Sequence, residues 1–286
     1  MRLVTWNIRQ GGGPSRLPEI ALALLEHEPD LCVLTEFRVA RGGALRAILA
    51  DRGLEHHAVD AGDEGGNSLL LASRWPLRVD PRREGPFPPG RWMDVRIDAL
   101  DLEVTGVHIP DDSRRAEKAG CWGHLVELAR ARAKGRWIVL GDANSGRRGI
   151  DEAGRTFTAT ALLVSFFSLG MLDAWRHQHP DSPERSWVHP ARGGTRIDAC
   201  YLSRDLHKSL KNSHFSHVER ERGLSDHSLL VVDVGVEGSA PKGEIQAKTS
   251  LFGDAPWQIH LGKAAARTLP TPKKPAKIGG VADPET

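Results

Sequence analysis

The chain has 286 residues, 40% hydrophobic and 27% charged, which suffices for a sizeable core in one large two-layer domain or two small ones. No run approaches the roughly 20 apolar residues of a membrane span, the first residues read as a strand and not a signal peptide, and Cys32, Cys121 and Cys200 lack the spacing of a disulfide framework or a zinc site, so reduced, buried thiols in a cytoplasmic protein are expected. The net charge of +2 hides an asymmetry: residues 238–286 carry seven Lys/Arg against four Asp/Glu, leaving 32 basic against 33 acidic groups in residues 1–237.

In chain order, Arg2 to Asn7 reads as a strand that runs into a polar cluster and a Gly11-Gly12-Gly13-Pro14 break. Leu17, Ile20, Ala21, Leu24 and Leu25 have helical spacing, and the helix must stop by Pro29. Asp30 to Glu36 is a near-continuous apolar run, as for a strand covered on both faces, and it ends in a carboxylate. Ala44 to Arg52 suggests a short helix; Asn67 to Ser73 and Trp92 to Ala99 are strand candidates flanking the Pro-rich loop Pro81 to Pro89. Leu102 to His108 is a further strand. Ser113 is expected to cap a helix running to about Lys134, whose basic end (Arg130, Arg132, Lys134, Arg136) suits the helix dipole better than it suits DNA. Because residues 1–237 are not basic overall, nucleic-acid binding would have to rest on local patches such as Arg147 and Arg148. Arg136 to Asn144 repeats the theme of a buried strand that emerges at an acid and an amide. Ala159 to Leu169 looks helical, and Leu229 to Val236 is the last strand. Beyond it, residues 238–286 hold six of the 18 prolines and read as a flexible tail, with residues 1–237 as the folded domain.

The stretch Thr195 to Leu202 opens polar and continues as a buried strand. Arg196 and Asp198 share one face of it, since side chains alternate with period two. A buried carboxylate needs a partner, and His227, at the start of the last strand, is expected to supply it. An Asp-oriented imidazole is a recurring catalytic device. Taken alone, Arg196 with Asp198 could equally be a structural ion pair. Asn7, Glu36, His108, Asp142, Asn144 and Asp198 all stand at strand ends, with Asp226 and His227 opening the last strand. Several hard oxygen ligands together suit Mg2+, with Mn2+ as an alternative. In-line attack of water on phosphorus is chemistry that needs such a set.

With these residues in place, the sequence resembles the endonuclease/exonuclease/phosphatase superfamily of metal-dependent phosphodiesterases over about residues 1–236. Thr5-Trp6-Asn7-Ile8, Leu34-Thr35-Glu36, Gly106-Val107-His108, Leu140-Gly141-Asp142-Ala143-Asn144, Arg196-Ile197-Asp198 and Ser225-Asp226-His227 match in the family's order. The resemblance implies an α/β fold: a four-layer α/β sandwich, two mixed β-sheets face to face with helices outside. It implies Glu36 as main metal ligand with Asn7 and Asp226 near it, and His227, paired with Asp198, as a phosphate contact. Asp142 would align the water, Asn144 would hold the transition state, and His108 would join the catalytic set; whether Asp142 or His227 is the general base stays open. Substrate contacts are expected from Arg9, Asn144, Trp187 and Arg196. Leu169 to His177 and Arg185 to Trp187 look most like the exonuclease III and abasic-site endonuclease branch, whereas His108 and Arg9 resemble pancreatic deoxyribonuclease. The expected function is a Mg2+-dependent DNA endonuclease or exonuclease of repair type, acting as a monomer on duplex DNA and on abasic sites within it. The alternatives are an enzyme acting on a phospholipid head group or small phosphoester, or a catalytically silent nucleic-acid binder. Trp187, with Phe166 and Phe167 as further candidates, would wall a pocket for an extruded sugar.

Overall fold

The computed structural model describes residues 1–13, 15–62, 65–79, 88–152, 157–189, 191 and 193–236. The tail from 238 and most of the Pro81 to Pro89 loop lie outside the described residues. The elements are, in order, β1 (Arg2–Asn7), α1 (Leu17–Glu26), β2 (Leu31–Phe37), α2 (Gly43–Asp51), β3 (His56–Asp60), β4 (Ser68–Ser73), β5 (Arg78–Val79), β6 (Trp92–Ile97) and β7 (Leu102–His108). There follow α3 (Arg115–Arg132), β8 (Trp137–Asp142), α4 (Thr160–Ser168), β9 (Leu172–Asp173), α5 (Ala174–Gln178), β10 (Trp187–His189), β11 (Gly193–Thr195), β12 (Asp198–Leu202), β13 (Leu210–Ser216), α6 (Val218–Glu221) and β14 (Leu229–Val234).

Among the described residues there are two six-stranded sheets, ordered β13-β14-β1-β2-β4-β3 and β5-β6-β7-β8-β12-β9, and a two-stranded antiparallel pair β10-β11. β1 runs parallel to β2 and β7 to β8, and the helices α1 and α3 make those two crossovers; the neighbouring pairs otherwise run antiparallel. The continuous apolar runs follow from burial on both faces. In β2, Leu31 and Val33 enter a core shared with Leu71, Val104, Ile138, Leu140 and Cys200 of both sheets. Cys32 and Leu34 enter a second core with Trp6, Ile20, Leu24, Leu45 and Leu49, where α1 and α2 cover the first sheet. On the far side, Trp137 and Val139 of β8 pack with Trp122, Leu125 and Phe166 of α3 and α4. The layers are therefore helix, sheet, sheet, helix, as the sequence resemblance implied. Gly106 permits the close approach of the sheets, since a Cβ there would stand 2.8 Å from Leu71 Cδ1 and 3.0 Å from Leu69 Cδ2.

Several elements differ from expectation. The Thr195 to Leu202 run is not one strand: β11 ends at Thr195, Arg196 and Ile197 belong to no strand, and β12 starts at Asp198. β3, β5, β9, β10 and β13 are additional; all but β10, which pairs with β11 alone, lie at the edges of the two large sheets, where a single neighbouring strand removes the need for a long apolar run. Ser113 does not cap α3, whose N-cap position is Arg114 without a side-chain hydrogen bond; the Asp111 carboxylate instead caps the 3-10 turn Asp112–Arg114 just before it, accepting from the Ser113 N–H at 2.8 Å. Arg132 is not a solvated end charge: it reaches Asp94 at 3.2 Å and Glu103 at 3.1 Å and lies over the Trp137 ring.

Candidate active site

Topology brings the singled-out residues together. Because β1 and β2 are parallel, Asn7 and Glu36 leave the first sheet at the same end, and because β14 is antiparallel to β1, Ser225 to His227 enter there. In the second sheet, Asp142 at the end of β8 is in register with His108 at the end of β7 and with Asp198 at the start of β12. The two ends then bond across the sandwich. Asn7 Nδ2 donates to Asp142 Oδ2 at 3.0 Å and reaches Glu36 Oε1 at 3.4 Å, and His227 Nδ1 lies 2.9 Å from Asp198 Oδ2.

The local backbone is strained where these side chains are aimed. Glu36 (φ +58) stands in a bulge, where the pairing of β2 with β4 shifts between Leu34 and Phe37. Its Oε2 accepts from the Gln10 N–H at 2.7 Å, and Asn7 Oδ1 accepts from the Arg9 N–H at 3.0 Å. Arg9 (φ +46), Gln10 (φ +53) and Asn144 (φ +44) are left-handed too, a conformation costing roughly 1–2 kcal/mol per ordinary L-residue that collects at functional sites. Gly141 must be glycine: at φ +150 a Cβ would stand 2.0 Å from the Val107 carbonyl. The following acid is thereby set against β7. Asn144 donates its N–H to Asp142 Oδ1 (3.1 Å) and its side-chain amide to the Ile109 carbonyl (2.8 Å).

Supporting groups fix the His–Asp pair. Ser225 Oγ donates to the Asn7 carbonyl at 2.6 Å and accepts from the His227 N–H at 3.1 Å, while Trp6 Nε1 donates to the His227 carbonyl. The buried Ser186 Oγ accepts from the Ile197 and Asp198 N–H groups at 2.9 and 3.1 Å. The roles of Ser186 and Lys118, whose Nζ donates to the Asn144 carbonyl, were not legible in the sequence, because a lone Ser or Lys carries no spacing signal. Trp187 is half-buried, donates Nε1 to Asp226 Oδ2 at 3.1 Å and has its ring centroid 6.5 Å from that of His227.

Burial and charge oppose each other here. Burial lowers the His227 imidazolium, but the Asp198, Asp142 and Asp226 carboxylates outweigh it and raise its pKa to about 9. Asp142 is raised by burial and then by the Asp198 charge, with His227, the Asn7 amide and the Asn144 N–H opposing. His108 is pushed well down by burial and by the Arg91 and His227 charges, so it stays neutral; its Nε2 is 3.8 Å from Asp142 Oδ2.

Other expected positions are not in this cluster. Arg196 lies in a separate network: its guanidinium bonds Asp151 Oδ1 (2.8 Å), Asp151 Oδ2 (2.9 Å) and Asp173 Oδ2 (2.6 Å) and lies over Trp175, so its charge is paired with those buried acids and not with Asp198. Residues 196–197 lie outside any strand, between β11, which pairs with β10, and β12, which pairs with β8 and β9, so the shared face of one continuous strand is lost. Phe166 is fully buried against Trp122, Trp137 and Tyr201 and walls no pocket. Arg9 is exposed beside Asn7.

A family model described as "Endonuclease/Exonuclease/phosphatase family" matches residues 4–227. The chain belongs to that family. Solved structures similar to it include a 3' phosphatase NExo from Neisseria bound to product DNA hairpin, at 21% identity and TM-score 0.68, covering 82% of this chain and 99% of that one. A 3'-5' exonuclease (NExo) from Neisseria meningitidis is similar at 19% identity, TM-score 0.67 and coverage of 82% and 99%. An AP endonuclease from Archaeoglobus fulgidus is similar at 19% identity, TM-score 0.70 and coverage of 82% and 100%. No curated protein matches the sequence. Membership of the endonuclease/exonuclease/phosphatase family makes the chain a hydrolase of phosphate esters.

The family depends on a divalent metal, and the residues present fit one. Asp142, Asp198 and His227 offer ligand atoms within 4.8 Å of one another, and the buried Asp198 Oδ1 has no hydrogen-bond partner among the described residues. Asn7 and Glu36 bring further oxygens beside Asp142, Asn7 Nδ2 lying 3.0 Å from Asp142 Oδ2 and 3.4 Å from Glu36 Oε1.

Proposed function

We propose that this chain is a Mg2+-dependent DNA nuclease of repair type, with Mn2+ as an alternative ion, and that residues 1–237 suffice for its activity. The observation that carries the reading is the bonded set Glu36–Asn7–Asp142 beside His227–Asp198. Glu36, with Asn7 and Asp226, would hold the ion, which supplies neutralisation of phosphoryl oxygen charge when bound. His227, kept cationic by Asp198, contacts a non-bridging phosphate oxygen as a charged donor. Asp142, whose burial makes it a better proton acceptor than an exposed carboxylate, orients the attacking water and takes its proton. Asn144 keeps one amide hydrogen on the Ile109 carbonyl and has the other for the developing negative charge. His108, neutral and at the end of β7, is a donor on the leaving-group side. Arg9, exposed at the rim, meets the nucleic-acid backbone. Trp187 beside His227 and Asp226 supports an abasic preference, since an aromatic wall suits a sugar taken out of the stack. The three free, buried cysteines accord with a reducing, cytoplasmic compartment, and among the described residues no helix is long and apolar enough to cross a membrane.

The test is a panel of plasmid, duplex with one abasic analogue, matched intact duplex, RNA and phospholipid head-group substrates, each with Mg2+ and with EDTA. Mg2+-dependent cleavage concentrated on the abasic duplex is expected. Equal cutting of both duplexes would remove the repair reading, and turnover of the head group alone would remove the nuclease reading.

A further inference from the structure

Lys118 stands in the first turns of α3, where the helix dipole favours anions, and its side chain is fully buried. Both circumstances oppose an ammonium group, and burial lowers its pKa, with Asp112 and then the Asp142 charge acting to hold the proton. The group is nonetheless well used. Nζ donates to Asp112 Oδ1 at 2.5 Å and to the Asn144 carbonyl at 2.6 Å, and lies 5.5 Å from the centre of the Phe157 ring. Asp112 Oδ1 in turn accepts from the Thr158 hydroxyl at 2.6 Å and the Thr158 N–H at 3.2 Å, so the counter-ion is itself anchored. Four residues further along α3, Trp122 Nε1 donates to Ser145 Oγ at 2.9 Å.

The receiving end of this clamp is the turn that carries Asp142 and Asn144. Asn144 is left-handed, its N–H is spent on Asp142 Oδ1, and its side chain is held by Ile109. Its carbonyl fixes the remaining freedom of that peptide plane. We infer that Lys118 is a positioning residue for phosphodiester hydrolysis, clamping the Asn144 carbonyl so that the strained turn keeps Asp142 and Asn144 aimed at the reacting phosphate. The inference rests on the hydrolase reading of the site. A methionine would fill the same space at no desolvation cost, and Asp112, at 40% side-chain exposure, could then turn to water. What methionine lacks is the two hydrogen bonds.

Lys118→Met is therefore expected to unfold no earlier in urea than the wild type and to bind uncleaved duplex within about twofold. Its kcat should fall by roughly 10- to 100-fold at unchanged KM, the scale at which a small misplacement of reacting groups is felt. Amide exchange over residues 143–146, read without substrate or metal, should quicken by at least about tenfold, the loss of one strong hydrogen bond. Asp112→Asn, which leaves Lys118 in place without its charged partner, should lose several-fold in kcat with the fold intact. Wild-type kcat in Lys118→Met overturns the inference, as does a parallel fall of kcat, substrate affinity and unfolding midpoint, which marks a merely structural lysine. Should Lys118→Met not fold, wild-type kcat and wild-type exchange in Asp112→Asn overturn it instead. If the wild type cleaves no phosphodiester, the hydrolase reading fails while the exchange experiment still decides the clamp.

Discussion

Replacing Asp198 by Asn should discharge His227. In the folded protein the imidazolium is held at a pKa of about 9 against an ordinary 6.5, with burial opposing and the Asp198 carboxylate leading the groups that raise it. That difference corresponds to about 3 kcal/mol of preferential stabilisation of the charged ring. A group whose pKa is raised on folding contributes its full stability below the unfolded value and loses it as pH climbs through the folded one. The contribution is thus complete below pH 6.5, declines between 6.5 and about 9, and is gone above. In Asp198→Asn, burial acts on the ring without its main counter-charge, so His227 should titrate below its ordinary value. Two measurements in EDTA check this: the imidazole proton resonances of His227 followed across pH 5–10, and urea unfolding at pH 6, 7.5 and 9.5. The wild type should exceed the variant by about 3 kcal/mol at pH 6, with the gap closing as the wild-type ring deprotonates. Turnover should fall by roughly 10²–10⁴-fold, the range for losing a positioned proton donor or acceptor. A stability gap independent of pH, or an unshifted His227 resonance titration in the variant, would refute the charge-pair account.

Glu36→Gln should reduce turnover by about 100-fold or more and weaken Mg2+ binding in parallel, with the unfolding midpoint unchanged; calorimetric titration of the metal checks it. Arg196→Met should leave buried Asp173 without its guanidinium partner and Asp151 with Arg176 as its remaining charge partner, at a cost of about 3–5 kcal/mol in urea unfolding, while the KM of the folded fraction stays at the wild-type value because the guanidinium is committed to that ion network. Trp187→Ala should abolish discrimination between abasic and intact duplexes in single-turnover assays, a loss of roughly 1–3 kcal/mol if the ring stacks on the substrate. A chain ending at Glu237 should keep its kcat and, if the tail's surplus of three positive charges touches DNA, show a shallower salt dependence of binding, by about 0.9 in slope for each phosphate that the tail no longer neutralises.

Strand identity and the polar residues at strand ends were legible in the sequence because both are local. An apolar run such as Leu31 to Leu34 states its own burial on two faces, and an acid or amide where such a run stops has to sit at a sheet edge. The ordered motifs from Asn7 to His227 likewise carried the family and, with it, the layered fold. Tertiary structure alone decided which polar groups meet. Register put Asp198 and His108 on either side of Asp142, and the antiparallel entry of β14 delivered His227 to Asp198 from the opposite sheet. Arg196 shows the limit most directly: two residues from Asp198 and on its face in an ideal strand, it falls instead in the gap between β11 and β12 and joins an ion network with Asp151 and Asp173. Lys118, 26 residues before Asn144, reaches the turn only because α3 packs over β8. A hydrogen bond is set by distance and direction in space, and those depend on how the sheets and helices pack, which no single segment of the chain specifies.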